Sequence, residues 1–157
     1  MSELELKEGM KAPAFRGETL EGPVSLDDYR GKTLVLYFYP KDDTPGCTTE
    51  ACNFRDNFAR LKSAGVEVLG VSKDTLVAHK KFQQKYDLPF RLLSDPDLTV
   101  LQAYGAWKEK IFCGKCALGI ERSTFVIDGK GVVRRIWRKV KANGHVDEIL
   151  AFLDTLK

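Results

Sequence analysis

The sequence predicts an α/β fold: a central mixed β-sheet with helices on both faces. Three observations carry this expectation. The runs Thr33–Tyr39 and Val66–Ser72 are apolar at both odd and even positions, as strands covered on both faces require. Segments of helical spacing alternate with these strands, and such alternation builds parallel crossovers. Finally, Asp128-Gly129-Lys130-Gly131 joins Ser123–Asp128 to Val132–Trp137 as a hairpin, which adds an antiparallel pair.

In chain order, Pro40 ends the first long strand. Pro45 suits the first turn of a helix with Thr44 as its N-cap. Phe54, Phe58 and Leu61 continue that helix until Gly65 closes it. After the second strand, Asp74 or Thr75 caps a helix running to about Tyr86. Pro89–Leu93 reads as a short strand, and Ser94-Asp95-Pro96 opens a helix ending near Gly105. The last helix places Val146, Ile149, Leu150, Leu153 and Leu156 on one face. Residues Ala106–Ile120 carry no periodicity and read as a long loop. The order fits a thioredoxin-like architecture.

The 157 residues fit one domain, taken as 1–157, with no repeat, low-complexity tract or Gly/Ser linker. Basic residues exceed acidic ones by 25 to 22, which gives no general grip on nucleic acid or membrane. The longest purely apolar run, Leu34–Tyr39, is too short to span a bilayer. The acidic N-terminus lacks the apolar stretch of a signal peptide, so the expected location is the cytoplasm, where thiols stay reduced. Four cysteines in that setting point to redox chemistry or metal binding rather than structural disulfides.

Cys47 is the most informative of them. With Thr44 as cap it lies in the first helical turn, where unpaired N–H groups and the positive end of the helix dipole favour a thiolate. A strand end leading into a helix N-terminus is also where open α/β sheets bind ligands. Gly46 lets the backbone come close to a small ligand, and Thr44 supplies a hydroxyl nearby.

The spacing Pro40-x-x-x-Thr44-x-x-Cys47 matches the active-site motif of peroxiredoxins. The run Tyr37–Cys52 resembles that of the bacterioferritin comigratory protein, or peroxiredoxin Q, subfamily. The resemblance continues through Val71-Ser72-Lys73-Asp74, Leu93-Ser94-Asp95, Tyr104-Gly105-Ala106-Trp107 and Gly119–Asp128. It implies a thioredoxin-like fold and a cofactor-free, metal-free peroxidase that reduces hydrogen peroxide and organic hydroperoxides with thiols. By that resemblance Cys47 is the peroxidatic nucleophile, and Thr44 hydrogen-bonds both its sulfur and the peroxide. Pro40 shields the site from water, Arg122 is the motif's arginine, and Glu50 orients it. The chemistry agrees with these roles. Fixed donors aimed at the departing oxygen stabilise charge where it grows, and a rigid planar guanidinium suits that task.

The resemblance also makes Cys52 the resolving partner of the Cys47 sulfenic acid. Ideal helix geometry puts their Cα atoms about 8.7 Å apart, beyond the roughly 7 Å a disulfide tolerates. Oxidation is therefore expected to unwind the start of the helix. A thioredoxin-like dithiol is the implied reductant, and a monomer the implied state.

Cys113 and Cys116 depart from the subfamily, which commonly carries Tyr-Gly-Lys or Met-Gly-Lys at this place. The pair reads as an auxiliary redox couple, as two thiols without a role, or as half of a zinc site. Two rival functions follow: a thioredoxin-type thiol–disulfide oxidoreductase, or a zinc-binding module built on all four cysteines. The basic residues Arg134, Arg135, Arg138, Lys139 and Lys141 read as a solvated strand face. His79 and His145 read as ordinary surface or cap residues, and Trp107 and Trp137 as packing residues.

Overall fold

The computed structural model describes residues 6–112 and 115–156. A hairpin of β1 (Arg16–Thr19) and β2 (Gly22–Ser25) comes first, followed by a short 3-10 turn over Leu26–Tyr29. β3 (Thr33–Phe38), α1 (Pro45–Asp56), α2 (Phe58–Ser63), β4 (Val66–Ser72), α3 (Leu76–Tyr86), β5 (Arg91–Ser94) and α4 (Thr99–Ala103) follow. β6 (Trp107–Phe112), β7 (Lys115–Ile120), β8 (Ser123–Ile127), β9 (Val133–Trp137) and α5 (His145–Asp154) complete the order.

Seven strands form one sheet in the order β2-β1-β5-β4-β3-β8-β9. β3 and β4 pair in parallel, as do β4 and β5, whereas β3/β8, β8/β9, β1/β5 and β1/β2 are antiparallel. The sheet is mixed, as expected. Alternating side chains of β3 explain its run of apolar residues: Val35 and Tyr37 join α1, α2 and α5 on one face, while Leu34, Leu36 and Phe38 join α4 on the other. Each face thus removes a full apolar layer from water, at about 25 cal/mol per Å².

Three expectations are corrected, and one element is added. Residues 106–120 are not a loop, because β6 and β7 form a separate antiparallel ribbon from Trp107↔Ile120 to Phe112↔Lys115. Among the described residues no third strand pairs with it, and the ribbon leaves no sustained alternation in the sequence. The helix predicted to run from Pro45 to Gly65 breaks at Asn57, whose side-chain amide donates to the Asn53 carbonyl at 2.8 Å and competes with the backbone ladder. α4 starts only at Thr99, because Leu98 is left-handed (φ 65°) and the Asp95 carboxylate accepts from the Leu101 amide at 2.8 Å. The β1–β2 hairpin gave no sequence signal. It reaches the sheet because Gly17 lets Leu93 approach where a Cβ would sit within 2.7 Å of its side chain.

Candidate active site

The site lies where three segments meet. β3 and β8 run antiparallel with Phe38 opposite Ser123, so Tyr39-Pro40 at the end of one strand faces Arg122 at the start of the other. The Arg122 carbonyl is pinned by the Val140 amide at 3.0 Å. α1 then starts at Pro45 and brings Cys47 to the same point.

α1 turns Cys47, Glu50, Ala51 and Phe54 inward, which is the helical spacing of a buried face. Phe54 stacks on Tyr37 with ring centroids 4.6 Å apart and anchors the helix. Thr44 is the N-cap residue, with extended backbone (φ −98°, ψ 157°). Its carbonyl accepts the first helical bond, from the Thr48 amide at 2.8 Å. Its side chain does not cap, and its hydroxyl donates instead to the Lys41 carbonyl at 2.9 Å. The Gly46 and Cys47 amides, ahead of the first helical bond, are therefore left without a side-chain cap. The expected hydroxyl-to-sulfur bond is absent for the same reason: the single hydrogen is spent on Lys41, and only the oxygen's lone pairs remain.

Cys47 is almost fully buried, at 2% exposure. Arg122 Nη2 donates to its Sγ at 3.3 Å, and Arg122 Nη1 donates to Glu50 Oε1 at 2.7 Å. One planar guanidinium thus ties the carboxylate to the sulfur. Gly46 makes room for it, since a Cβ there would lie 3.1 Å from Nη2. Glu50 is wholly buried, and its second oxygen has no partner. Burial raises its pKa to about 7, outweighing the attraction of Arg122. Pro40, two residues past the end of β3, is half-buried.

Cys52 also lies in α1, is partly exposed, and is unbridged like Cys47. With the helix intact the two thiols stand too far apart to join. Cys116 belongs to β7, with its backbone opposite Ile111, and Cys113 lies outside the described residues.

Arg134 and Arg135 are exposed on β9, whereas Arg138 packs over Phe125 and donates to the Tyr104 and Gly105 carbonyls at 3.3 Å. Both histidines depart from expectation. His79 is fully buried against Asp42, with Nδ1 2.6 Å from Oδ2. His145 is buried with Nε2 2.8 Å from Thr124 Oγ1, and burial lowers its pKa below the ordinary value. Neither had a ligand-like sequence neighbour, because their partners lie 37 and 21 residues away.

Residues 9–136 match the AhpC/TSA family. This chain belongs to that peroxiredoxin family. A Coxiella burnetii relative is 55% identical over 151 residues, covering 96% of this chain and 100% of its own. Peroxiredoxin Bcp of Bacillus subtilis is 49% identical, covering 92% of this chain and 93% of its own. The bacterioferritin comigratory protein of Xanthomonas campestris, studied for alkyl peroxide reduction activity, superposes with a TM-score of 0.86 at 42% identity over 90% of each chain. A mutant of PrxQ from Xylella fastidiosa superposes at 0.91, with 34% identity over 98% of each chain. The thioredoxin-like fold of this peroxiredoxin is that of these neighbours. Among the described residues, no helix is long and apolar enough to cross a membrane.

Proposed function

We propose that this peroxiredoxin is a thiol-dependent peroxidase in which Cys47 attacks the peroxide and Cys52 resolves the product. The 3.3 Å contact between Arg122 Nη2 and Cys47 Sγ is the observation that carries this reading. A charge-assisted bond favours the thiolate, which is the nucleophile. In the first step the thiolate attacks the terminal oxygen of ROOH and the O–O bond breaks. Cys47 leaves as the sulfenic acid and the departing RO⁻ takes up a proton to give an alcohol, or water from hydrogen peroxide. Arg122 and the Gly46 and Cys47 amides face the atoms on which charge grows. Thr44 accepts the peroxide O–H with its free lone pairs, Glu50 fixes the guanidinium plane, and Pro40 keeps water out.

In the second step the Cys52 thiol attacks the sulfenic sulfur, forming the disulfide and releasing water. The start of α1 must unwind for this. A thioredoxin-like dithiol then returns two electrons and becomes a disulfide itself. In this reading the enzyme works in the cytoplasm, where thiols stay reduced, and as a monomer. Cys113 and Cys116 serve in this reading as an auxiliary redox couple, passing electrons to Cys52 or resolving Cys47 directly. A thioredoxin-type oxidoreductase has less support, because Cys47-Thr48-Thr49-Glu50 lacks a second thiol at the spacing of that class. A zinc module built on all four cysteines would require Cys47 to leave Arg122.

The test is peroxide consumption with thioredoxin and its reductase on each single Cys→Ser variant. Cys47→Ser is expected to lose all turnover and Cys52→Ser the recycled turnover, while Cys113→Ser retains it. Intact recycled turnover in Cys52→Ser would remove that residue from the mechanism.

A further inference from the structure

The segment between β3 and α1 has little support of its own. Asp43 is left-handed (φ 59°), and the Thr44 side chain does not cap the helix that follows. Support comes instead from α3. The Asp42 carboxylate is buried, with Oδ1 accepting the Tyr39 hydroxyl at 2.5 Å and Oδ2 lying 2.6 Å from His79 Nδ1. His79 Nε2 is 3.2 Å from the Leu93 carbonyl, which can only accept, so that nitrogen carries a hydrogen. One proton therefore lies between Nδ1 and Oδ2. The Asp42 amide donates to Asp74 Oδ2 at 2.9 Å, and that oxygen also accepts the Ser72 hydroxyl at 2.7 Å. At the other end of α3, Asp43 accepts from Lys85 Nζ at 2.9 Å and from the Tyr86 hydroxyl at 2.8 Å. α3 thus grips two successive residues of the segment that leads to Cys47.

We infer that the His79–Asp42 pair is a positioning clamp: it holds the first turn of α1 formed and so sets how far the Cys47–Cys52 couple favours the dithiol over the disulfide. The inference rests on the resolving role proposed for Cys52. Contacts equal in both redox states cancel from the equilibrium between them, and only those lost on unwinding count. Asp42 lies five residues before Cys47 and three before the first residue of α1, and the proposed opening carries it along. In the dithiol state, removal of His79 leaves Oδ2 of the buried Asp42 carboxylate without a partner, while the Tyr39 hydroxyl still serves Oδ1. In the opened state that carboxylate reaches water, so the cost falls on the dithiol alone. Loss of the clamp therefore favours the disulfide.

The experiment equilibrates the full chain, with Cys113 and Cys116 replaced by serine, in glutathione buffers. Alkylation and mass spectrometry then give the Cys47–Cys52 disulfide fraction. His79→Leu is expected to shift the exchange constant at least tenfold toward disulfide, a potential about 30 mV more negative. His79→Asn, whose amide reaches the Nδ1 position, is expected to recover most of the shift. Asp43→Asn is exposed and carries no folding risk, and it should move the constant the same way by at least twofold. General destabilisation would lower both states together and leave the potential unmoved. An unmoved potential in His79→Leu, or an equal shift in His79→Asn and His79→Leu, overturns the clamp alone. Should His79→Leu not fold, Asp42→Asn, which keeps the buried volume and removes the charge, is measured in its place, and an unmoved potential there overturns the clamp. No Cys47–Cys52 link in the starting protein overturns the clamp and the resolving role together.

Discussion

Replacing Arg122 by methionine separates catalysis from stability, because the same guanidinium holds Cys47 and Glu50. At 3.3 Å and an effective dielectric constant of about 20, attraction between guanidinium and thiolate is of order 5 kcal/mol. Part of that is made equally in the ground state. Removal of one preorganised donor from a developing charge typically costs ~10²–10³ in rate. The stability cost is smaller than a broken buried ion pair suggests. Breaking such a pair ordinarily costs ~3–5 kcal/mol because a charge is stranded. Glu50, however, is already pushed up to about 7 with Arg122 beside it, and without Arg122 burial alone acts on it. It takes up a proton, and the loss falls to that of one hydrogen bond, ~1–3 kcal/mol. The assay pairs initial peroxide consumption at limiting substrate with urea unfolding at neutral pH. The expected result is a fall in kcat/KM of at least a hundredfold with a stability loss below about 3 kcal/mol. Arg122→Lys should fall between the two, because one ammonium cannot present the same planar pair of donors to both groups. A kcat/KM within threefold of the parent, or a loss explained by unfolded protein, would refute the reasoning.

Other outcomes follow from the same geometry. Gly46→Ala should lower kcat/KM about three- to tenfold while leaving stability equal or higher: its Cβ crowds Arg122 Nη2 at 3.1 Å, yet Ala favours a helix over Gly. Activity and urea midpoints measured side by side check this. Glu50 favours the protonated form in the fold, so its contribution to stability is fully present below its ordinary 4.5 and is lost as pH rises through about 7. That interval corresponds to about 3 kcal/mol, and Glu50→Gln should flatten the decline in urea-unfolding free energy across it. His145, held below its ordinary value, acts in the opposite sense, and the difference between parent and variant removes its part.

The sheet was legible where the pattern was local. β3 and β4 are covered on both faces and read as apolar at both parities, and Asp128-Gly129 announced the β8–β9 hairpin. The β6–β7 ribbon was not, because a two-stranded sheet imposes no lasting alternation. The break at Asn57 depends on one side chain competing for a carbonyl, which spacing does not reveal. In the site, the helix N-terminus at Cys47 followed from Thr44-Pro45-Gly46 alone. Arg122, 75 residues away, came only through the family resemblance. His79 reads as a surface or cap residue in the sequence, because only the fold brings it to Asp42. The Thr44 hydroxyl differs from expectation because its hydrogen goes to the Lys41 carbonyl.

The most direct test of the account is where oxygen lands when peroxide is limiting. In a chain whose sole thiol is Cys47, one equivalent of hydrogen peroxide followed by a sulfenic-acid trap should place the adduct on Cys47 within the mixing time. The chain with Cys47→Ser as its only change should consume no peroxide at that rate. Rapid consumption by Cys47→Ser, or an untrapped and unoxidised Cys47 in the single-thiol chain, would contradict it.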